Sequence, residues 1–352
     1  MISRRSVLAA PLGLTMCRRP QARASEPRKP FAPLKSFAPF PVGVAGMSGQ
    51  FEDPRWVELT KANFTQITPE WEMKLESLMP GDGGLDFSRA DKVARFATEN
   101  GLRLHGHALV WYSQTNDFFR ERTGRAFERE YDRYVREVTA RYRGRAVSWD
   151  VVNEPVAEDG NGLRACLWSE RLGADGYIQR ALETAREADP DAVLFINDYN
   201  LENLPAKGAT FLKLVERLLK AGAPLGGIGT QSHLDIEIPH GRITNFFREA
   251  RQFGLPIHVS ELDASLTRDG AWDPRPKSMR LGQQQARVQE LCEAFLDLPE
   301  AQRWAFTVWG VRDTDSWLLR RDEAWEEDSP LLFDGEGNPN AMYDTVARAF
   351  GR

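Results

Sequence analysis

The chain has 352 residues, 41% of them hydrophobic and 28% charged, with a formal net charge of −5; this is the make-up of a folded protein of one large or two ordinary domains. No apolar run reaches the roughly 18–20 residues that a spanning helix needs. Basic residues form no stripe beyond the first two dozen positions, which argues against a nucleic-acid partner.

The N-terminus is set apart. Ser3-Arg4-Arg5-Ser6 precedes a short apolar run at 7–16, followed by Cys17-Arg18-Arg19 and Ala22-Arg23-Ala24. A basic start, a short apolar middle and an A-x-A end read as an export signal over 1–24. The paired arginines point to the twin-arginine route and hence to a periplasmic or secreted protein. Residues 1–24 hold five arginines and no acid, so their removal takes the formal charge from −5 to −10. Met16 is too large for the position before a lipidated cysteine. Cys166 and Cys292 remain; an oxidising compartment permits a disulfide between them, and their apolar settings equally suit two buried thiols.

After a lead-in over 25–40, short apolar or β-branched runs predict strands at 42–46, 64–68, 102–110, 147–152, 192–196, 227–234, 256–260 and 304–308. Helical spacing fills the intervals. Phe127, Tyr131, Tyr134, Val135 and Val138 form one stripe, and 211–219 and 288–296 behave similarly. Asp86-Phe87-Ser88-Arg89 reads as a helix start and Asn100-Gly101 as its stop. Eight strands alternating with helices, without linker or internal repeat, predict a single (β/α)8 TIM barrel over 41–352. The glycines at 43–49 lack the G-x-G-x-x-G spacing that a doubly wound nucleotide-binding sheet would show.

In such a barrel, reactive side chains gather where strands end. The predicted ends are Glu70-Trp71-Glu72-Met73-Lys74, His105-Gly106-His107 through Trp111, Trp149-Asp150-Val151-Val152-Asn153-Glu154, Asn197-Asp198-Tyr199-Asn200, Gln231-Ser232-His233, Glu261-Leu262-Asp263 and Trp309-Gly310. Carboxylates, amides and indoles dominate. Two carboxylates facing each other over a sugar, with aromatic platforms, is what glycoside hydrolysis requires. Glu154 and Glu261, on the fourth and seventh strands, lie nearly opposite across the mouth, which allows the separation of about 5–5.5 Å of a retaining enzyme.

These segments resemble glycoside hydrolase family 10, the xylanases, from about Val42 to the C-terminus. Trp149 to Pro155 is similar to that family's W-D-V-V-N-E-P segment, which implies Glu154 as acid/base. Val259-Ser260-Glu261-Leu262-Asp263 resembles its nucleophile strand, which implies Glu261, held by Asp263 and His233. The run from Gly106 to Gln114 implies that His107, Trp111 and Gln114 line the sugar sites. Thr307 to Trp317 resembles the eighth-strand loop, which implies that Trp309 and Trp317 close over the sugar chain. Glu70 and Lys74 remain available for sugar hydroxyls, Asn153 is placed for the 2-hydroxyl, and Tyr199 and Gln231 complete the expected substrate-binding set. The second-strand segment departs from the family's E-N-x-M-K at Trp71, and Tyr112 stands where histidine is usual. Both changes bear on sugar preference and leave the chemistry intact.

The implied reaction is hydrolysis of internal β-1,4-xylosidic bonds by double displacement, with xylan or xylo-oligosaccharides as the polysaccharide partner, no metal or organic cofactor, and a monomeric chain. Glu154 must begin protonated, favoured by the charge of Glu261, and must turn base once the glycosyl ester has removed that charge. A related β-1,4-glycanase, or a xylanase specialised for short or decorated substrates, is the alternative. Other readings are weaker. His105-x-His107 has metal-ligand spacing but lies on the third strand, with His105 expected on the side away from the mouth. A binding protein that had lost catalysis would lack one of the glutamates. Trp56, Trp149 and Trp304 read as core, His258 as an interior histidine, and Asp150 as a structural residue facing away from its neighbours near Asn153. Asn200 either joins Tyr199 on the leaving-group side or packs in its loop. Trp168, Trp272 and Trp325 extend the cleft or pack beneath loops.

Overall fold

The computed structural model describes residues 32–267, 273–320 and 327–352. The expected export signal, Trp272 and Trp325 lie outside them. Eight parallel strands close into a barrel: β1 (Val42–Gly46), β2 (Gln66–Pro69), β3 (Arg103–Trp111), β4 (Ala146–Asn153), β5 (Val193–Asp198), β6 (Gly227–Thr230), β7 (Ile257–Leu262) and β8 (Arg303–Val308). Val42 pairs with Phe306 and Gly43 with Gln66, so β1 joins β8 to β2 and leaves no edge unpaired.

The connecting helices bury the faces that their spacing marks. The helix Gly124–Arg141 turns Phe127, Tyr131, Tyr134, Val135 and Val138 inward, each of the large ones worth roughly 1.5–3 kcal/mol of burial. Helix Pro205–Lys220 buries Phe211, Leu214, Val215 and Leu218, and helix Lys277–Leu296 buries Val288, Leu291 and Phe295. Helix Ser88–Glu99 starts where Asp86 accepts the Ser88 amide at 2.8 Å, and Gly101 follows it with φ 65°. Cys166 and Cys292 are both buried and unbonded.

Strand bounds fall within two residues of expectation except at the end of β6. β2 lies two residues later at its start than the apolar run at 64–68. β6 stops at Thr230 instead of running to 234, because Ser232 takes a φ of 56° and turns the chain; His233 then meets Asp263 through an isolated bridge.

Inside the barrel, below its mouth, the filling is partly polar. His105 Nδ1 stands 2.7 Å from Ser148 Oγ, and His258 Nε2 is 2.8 Å from Thr307 Oγ1. Burial, followed by the nearby His105, pushes His258 far below the ordinary histidine value, so it is a neutral interior residue. Trp56 and Trp149 are fully buried. Trp149 fits because Gly106 carries no side chain: a Cβ there would fall 2.1 Å from the indole. Trp304 is partly buried beside Phe195, with Arg103 over its ring at 4.6 Å.

Candidate active site

Among the described residues, three that are not glycine have positive φ: Glu154 (58°), Asn200 (57°) and Ser232 (56°). They follow β4, β5 and β6 at the ends where barrel enzymes place their chemistry. Glu154 and Glu261 are both buried and belong to one hydrogen-bonded group. Asn197 Nδ2 stands 2.7 Å from Glu261 Oε1 and 3.0 Å from Asn153 Oδ1. Gln231 Nε2 donates to that same Asn153 oxygen at 3.2 Å and to Glu154 Oε1 at 3.1 Å, and Asn153 Nδ2 donates to Glu154 at 3.2 Å. Amides from β4, from β5 and from the residue just past β6 therefore tie the two carboxylates together. Gly229 makes room for this: a Cβ there would meet Asn197 Oδ1 at 2.5 Å.

The Glu261 carboxyl sits below the usual glutamate value. Burial alone would raise it, but His107, His233 and the Lys74 ammonium outweigh that effect. His233 lies 3.4 Å from Glu261 Oε2 and 2.9 Å from Asp263 Oδ2, and Trp317 Nε1 donates to Asp263 at 2.8 Å. Burial works to lower the His233 value, yet Asp263 and Glu261 lift it to about 10. The imidazolium thus faces Glu261 as a cation. Lys74 is buried with its Nζ 4.7 Å from the centre of the Trp111 ring; burial lowers its value, while Glu261, Glu154, Glu70 and Asp150 act the other way.

Asp150 corrects the expectation drawn from strand parity. It is fully buried, and its Oδ2 meets His105 at 2.9 Å and His107 at 2.8 Å. The β4–β5 register shifts between Asp150 and Val152, so simple alternation fails there, and Asp150 and Asn153 serve the same assembly. His105 likewise points into the barrel, one layer beneath His107. Burial would raise the Asp150 carboxyl, but the two imidazoles hold it well below the carboxylate range. Donor atoms of His107, Asp150 and Glu261 lie within 4.8 Å of one another. Within the protein these residues are hydrogen-bonded, His107 to Asp150 and Glu261 to Asn197, with His233 facing Glu261.

Around the rim, Trp309 is buried with its ring 5.2 Å from His107, and Trp317 lies 5.4 Å from His233. Glu70 is bound by Arg320, from the loop after β8; burial still pushes its carboxyl up against Arg320 and Lys74. Trp71 beside it is 38% exposed. Gln114 is buried, with its oxygen on the Glu76 amide at 3.0 Å. Tyr112 carries the Arg164 guanidinium over its ring at 4.0 Å, and Arg164 donates to Tyr199 Oη at 3.1 Å and to the Glu154 carbonyl at 3.1 Å. Trp168 packs beneath, against Phe119, and donates to the Trp111 carbonyl at 3.0 Å.

Asn197, Asp150, Asp198, Lys207 and Arg320 were not singled out as site residues by sequence. Asn197 and Asp198 carried a usable signal, since they stand at the predicted end of the fifth strand. Lys207 and Arg320 carried none, because each lies beyond the strand-end segment, in the helix after β5 and the loop after β8.

A glycosyl hydrolase family 10 model matches residues 35–349. The chain is 36% identical over 333 residues to endo-1,4-β-xylanase A of Thermotoga maritima, covering 90% of this chain but 31% of that protein. It is 34% identical over 294 residues to a β-1,4-xylanase of Dictyoglomus thermophilum, covering 82% and 83% of the two chains. Its structure matches that of a mutant xylanase from Cellvibrio japonicus in complex with xylopentaose with a TM-score of 0.84 at 29% identity, over 91% of this chain and 69% of the other. The chain thus spans about a third of the first relative's length and most of the second's. With a matching model across nearly all of the barrel and the paired glutamates at its mouth, this protein belongs to glycosyl hydrolase family 10.

Proposed function

We propose that the protein is a retaining endo-β-1,4-xylanase, with Glu154 as acid/base and Glu261 as nucleophile. The observation that carries this reading is the placement of Glu261: ionised among His233, His107 and Lys74, and joined through Asn197, Asn153 and Gln231 to a second glutamate. Glu261 attacks the anomeric carbon while Glu154 protonates the departing oxygen, giving a glycosyl ester. Glu154 then takes a proton from water, which displaces Glu261. Asn153 meets the sugar 2-hydroxyl, while Lys74, His107, Trp111, Trp309 and Trp317 line the glycone side. Tyr199 serves the leaving-group side, and Gln114 acts through the loop at Glu76.

A preference for short or decorated chains is the narrower part of the proposal. It is supported by Trp71 and by Arg320, which occupies Glu70. Export by way of residues 1–24 to the periplasm or beyond, and a monomeric state, complete it.

The test is the product profile on unbranched xylo-oligosaccharides, cello-oligosaccharides and branched xylan, with Glu261→Ala as control. Internal cleavage of the xylo series that vanishes in the control is the expected result. No cleavage of any xylose-based substrate would overturn the substrate assignment.

A further inference from the structure

Near the turn that carries Glu154 lies a buried ion pair that takes no part in the bond-making and bond-breaking steps. Lys207 comes from the helix Pro205–Lys220 and Asp198 from the end of β5; both side chains are fully buried, with Nζ 3.0 Å from Oδ1. Charges held out of water lose their hydration, and their mutual attraction need not restore it, so their placement calls for a reason.

The contacts supply one. Asp198 Oδ2 accepts the amide of Val156 at 2.9 Å, two residues past Glu154. Asp198 Oδ1 accepts the Tyr199 amide at 2.9 Å, and the Lys207 ammonium lies 3.3 Å from the centre of the Tyr199 ring. Tyr199 Oη in turn meets Arg164, which donates to the carbonyl of Glu154, and it is also held by Glu158. The amide of Glu154 itself donates to the Asn197 carbonyl at 2.7 Å. The turn carrying Glu154 is thus gripped on both sides by groups that converge on Lys207. Glu154 needs that grip: a φ of 58° is a conformation that a side-chain-bearing residue keeps only when its surroundings over-determine it.

We propose that Asp198 and Lys207 are positioning residues for the acid/base: the buried pair locks the strained turn so that the Glu154 carboxyl meets the departing glycosidic oxygen. This rests on the assignment of Glu154 given above. Burial pushes the Asp198 carboxyl up to about 7 against the opposing pull of Lys207, and the charge of Glu154 adds to the rise.

The experiment compares two substrates in the same folded protein. One is a xylo-oligosaccharide, whose leaving sugar needs a proton; the other is an aryl xylobioside with a strongly acidic phenol, which leaves without one. Lys207→Met, Asp198→Asn and the double variant are measured beside Glu154→Gln, each checked by circular dichroism and its thermal midpoint. The expected result is a loss in kcat/KM, which reports only the first half-reaction, of about 10- to 100-fold on the oligosaccharide, part of the 10²–10⁴ that general acid–base catalysis supplies. On the aryl xylobioside kcat/KM stays within about twofold while kcat falls, because Glu154 is still needed as the base that frees the glycosyl ester. The double variant is no worse than the more affected single one, as expected of residues acting as one unit. Equal losses in kcat/KM on both substrates, or none on either, overturn the proposal. If Glu154→Gln itself fails to discriminate between the substrates, the assignment of the acid falls, and this inference with it. Should a single variant not fold, the double variant, which leaves no unpaired buried charge, is read by the same criteria.

Discussion

The Nδ2 of Asn197 stands 2.7 Å from Oε1 of Glu261, and the same nitrogen lies 3.0 Å from Oδ1 of Asn153. Ser260 Oγ donates to the other end of that amide at 2.8 Å, which fixes which way it points. One side chain on β5 therefore orients a carboxylate on β7 and an amide on β4. Hydrogen bonds to a charged group are worth about 1.5–3 kcal/mol. Asn197→Ala is expected to lower kcat on xylo-oligosaccharides about 10- to 100-fold, with KM changed much less. Unchanged kcat would show that Glu261 does not depend on this bond.

His233 makes stability depend on pH. Burial tends to lower its value, but Asp263 and Glu261 raise it from 6.5 to about 10 in the folded protein. A group bound more tightly to its proton when folded contributes fully below the unfolded value. That contribution fades as pH rises from 6.5 through about 10. Denaturant midpoints measured across this window should fall for the wild type, and His233→Gln should flatten the fall. An equally steep decline in the variant would assign the titration elsewhere.

Asp150 takes two imidazoles on a single oxygen, at 2.9 and 2.8 Å. Asp150→Asn leaves at least one buried ring nitrogen poorly paired, at a cost of about 1–3 kcal/mol. Urea unfolding should register that loss. Because His107 faces Glu261 and packs edge-on to Trp309 at 5.2 Å, kcat/KM is expected to drop as well. A destabilised variant with full activity would make Asp150 a purely structural residue.

Arg320 holds Glu70 at the rim, with its own side chain 36% exposed. The Glu70 side chain is only 12% exposed and Arg320 occupies it, so Arg320→Ala should free Glu70 for sugar hydroxyls and lower KM for short oligosaccharides by up to about fivefold, leaving kcat in place. A raised KM would instead mean that Arg320 itself contacts the sugar.

Residues whose information is local were legible in the sequence. Apolar runs such as 192–196, and the stripe from Phe127 to Val138, mark strands and helices because burial repeats with the period of each element. Glu154 and Glu261 were legible because each sits at a strand end, and barrel closure carries strand ends to one mouth. What the chain could not announce arises between elements. Asp150 was misplaced because alternation assumes an unbroken ladder, and the shift beside Val152 exists only when β4 lies against β5. Lys207 and Arg320 reach Asp198 and Glu70 across 9 and 250 positions of sequence, and nothing in a lysine or an arginine tells which distant carboxylate it will meet. Local periodicity thus determined the barrel, and strand-end position with the flanking motifs marked the glutamate pair, while the partners that orient and charge them were decided by tertiary packing, since desolvation and hydrogen-bond geometry exist only in the closed barrel.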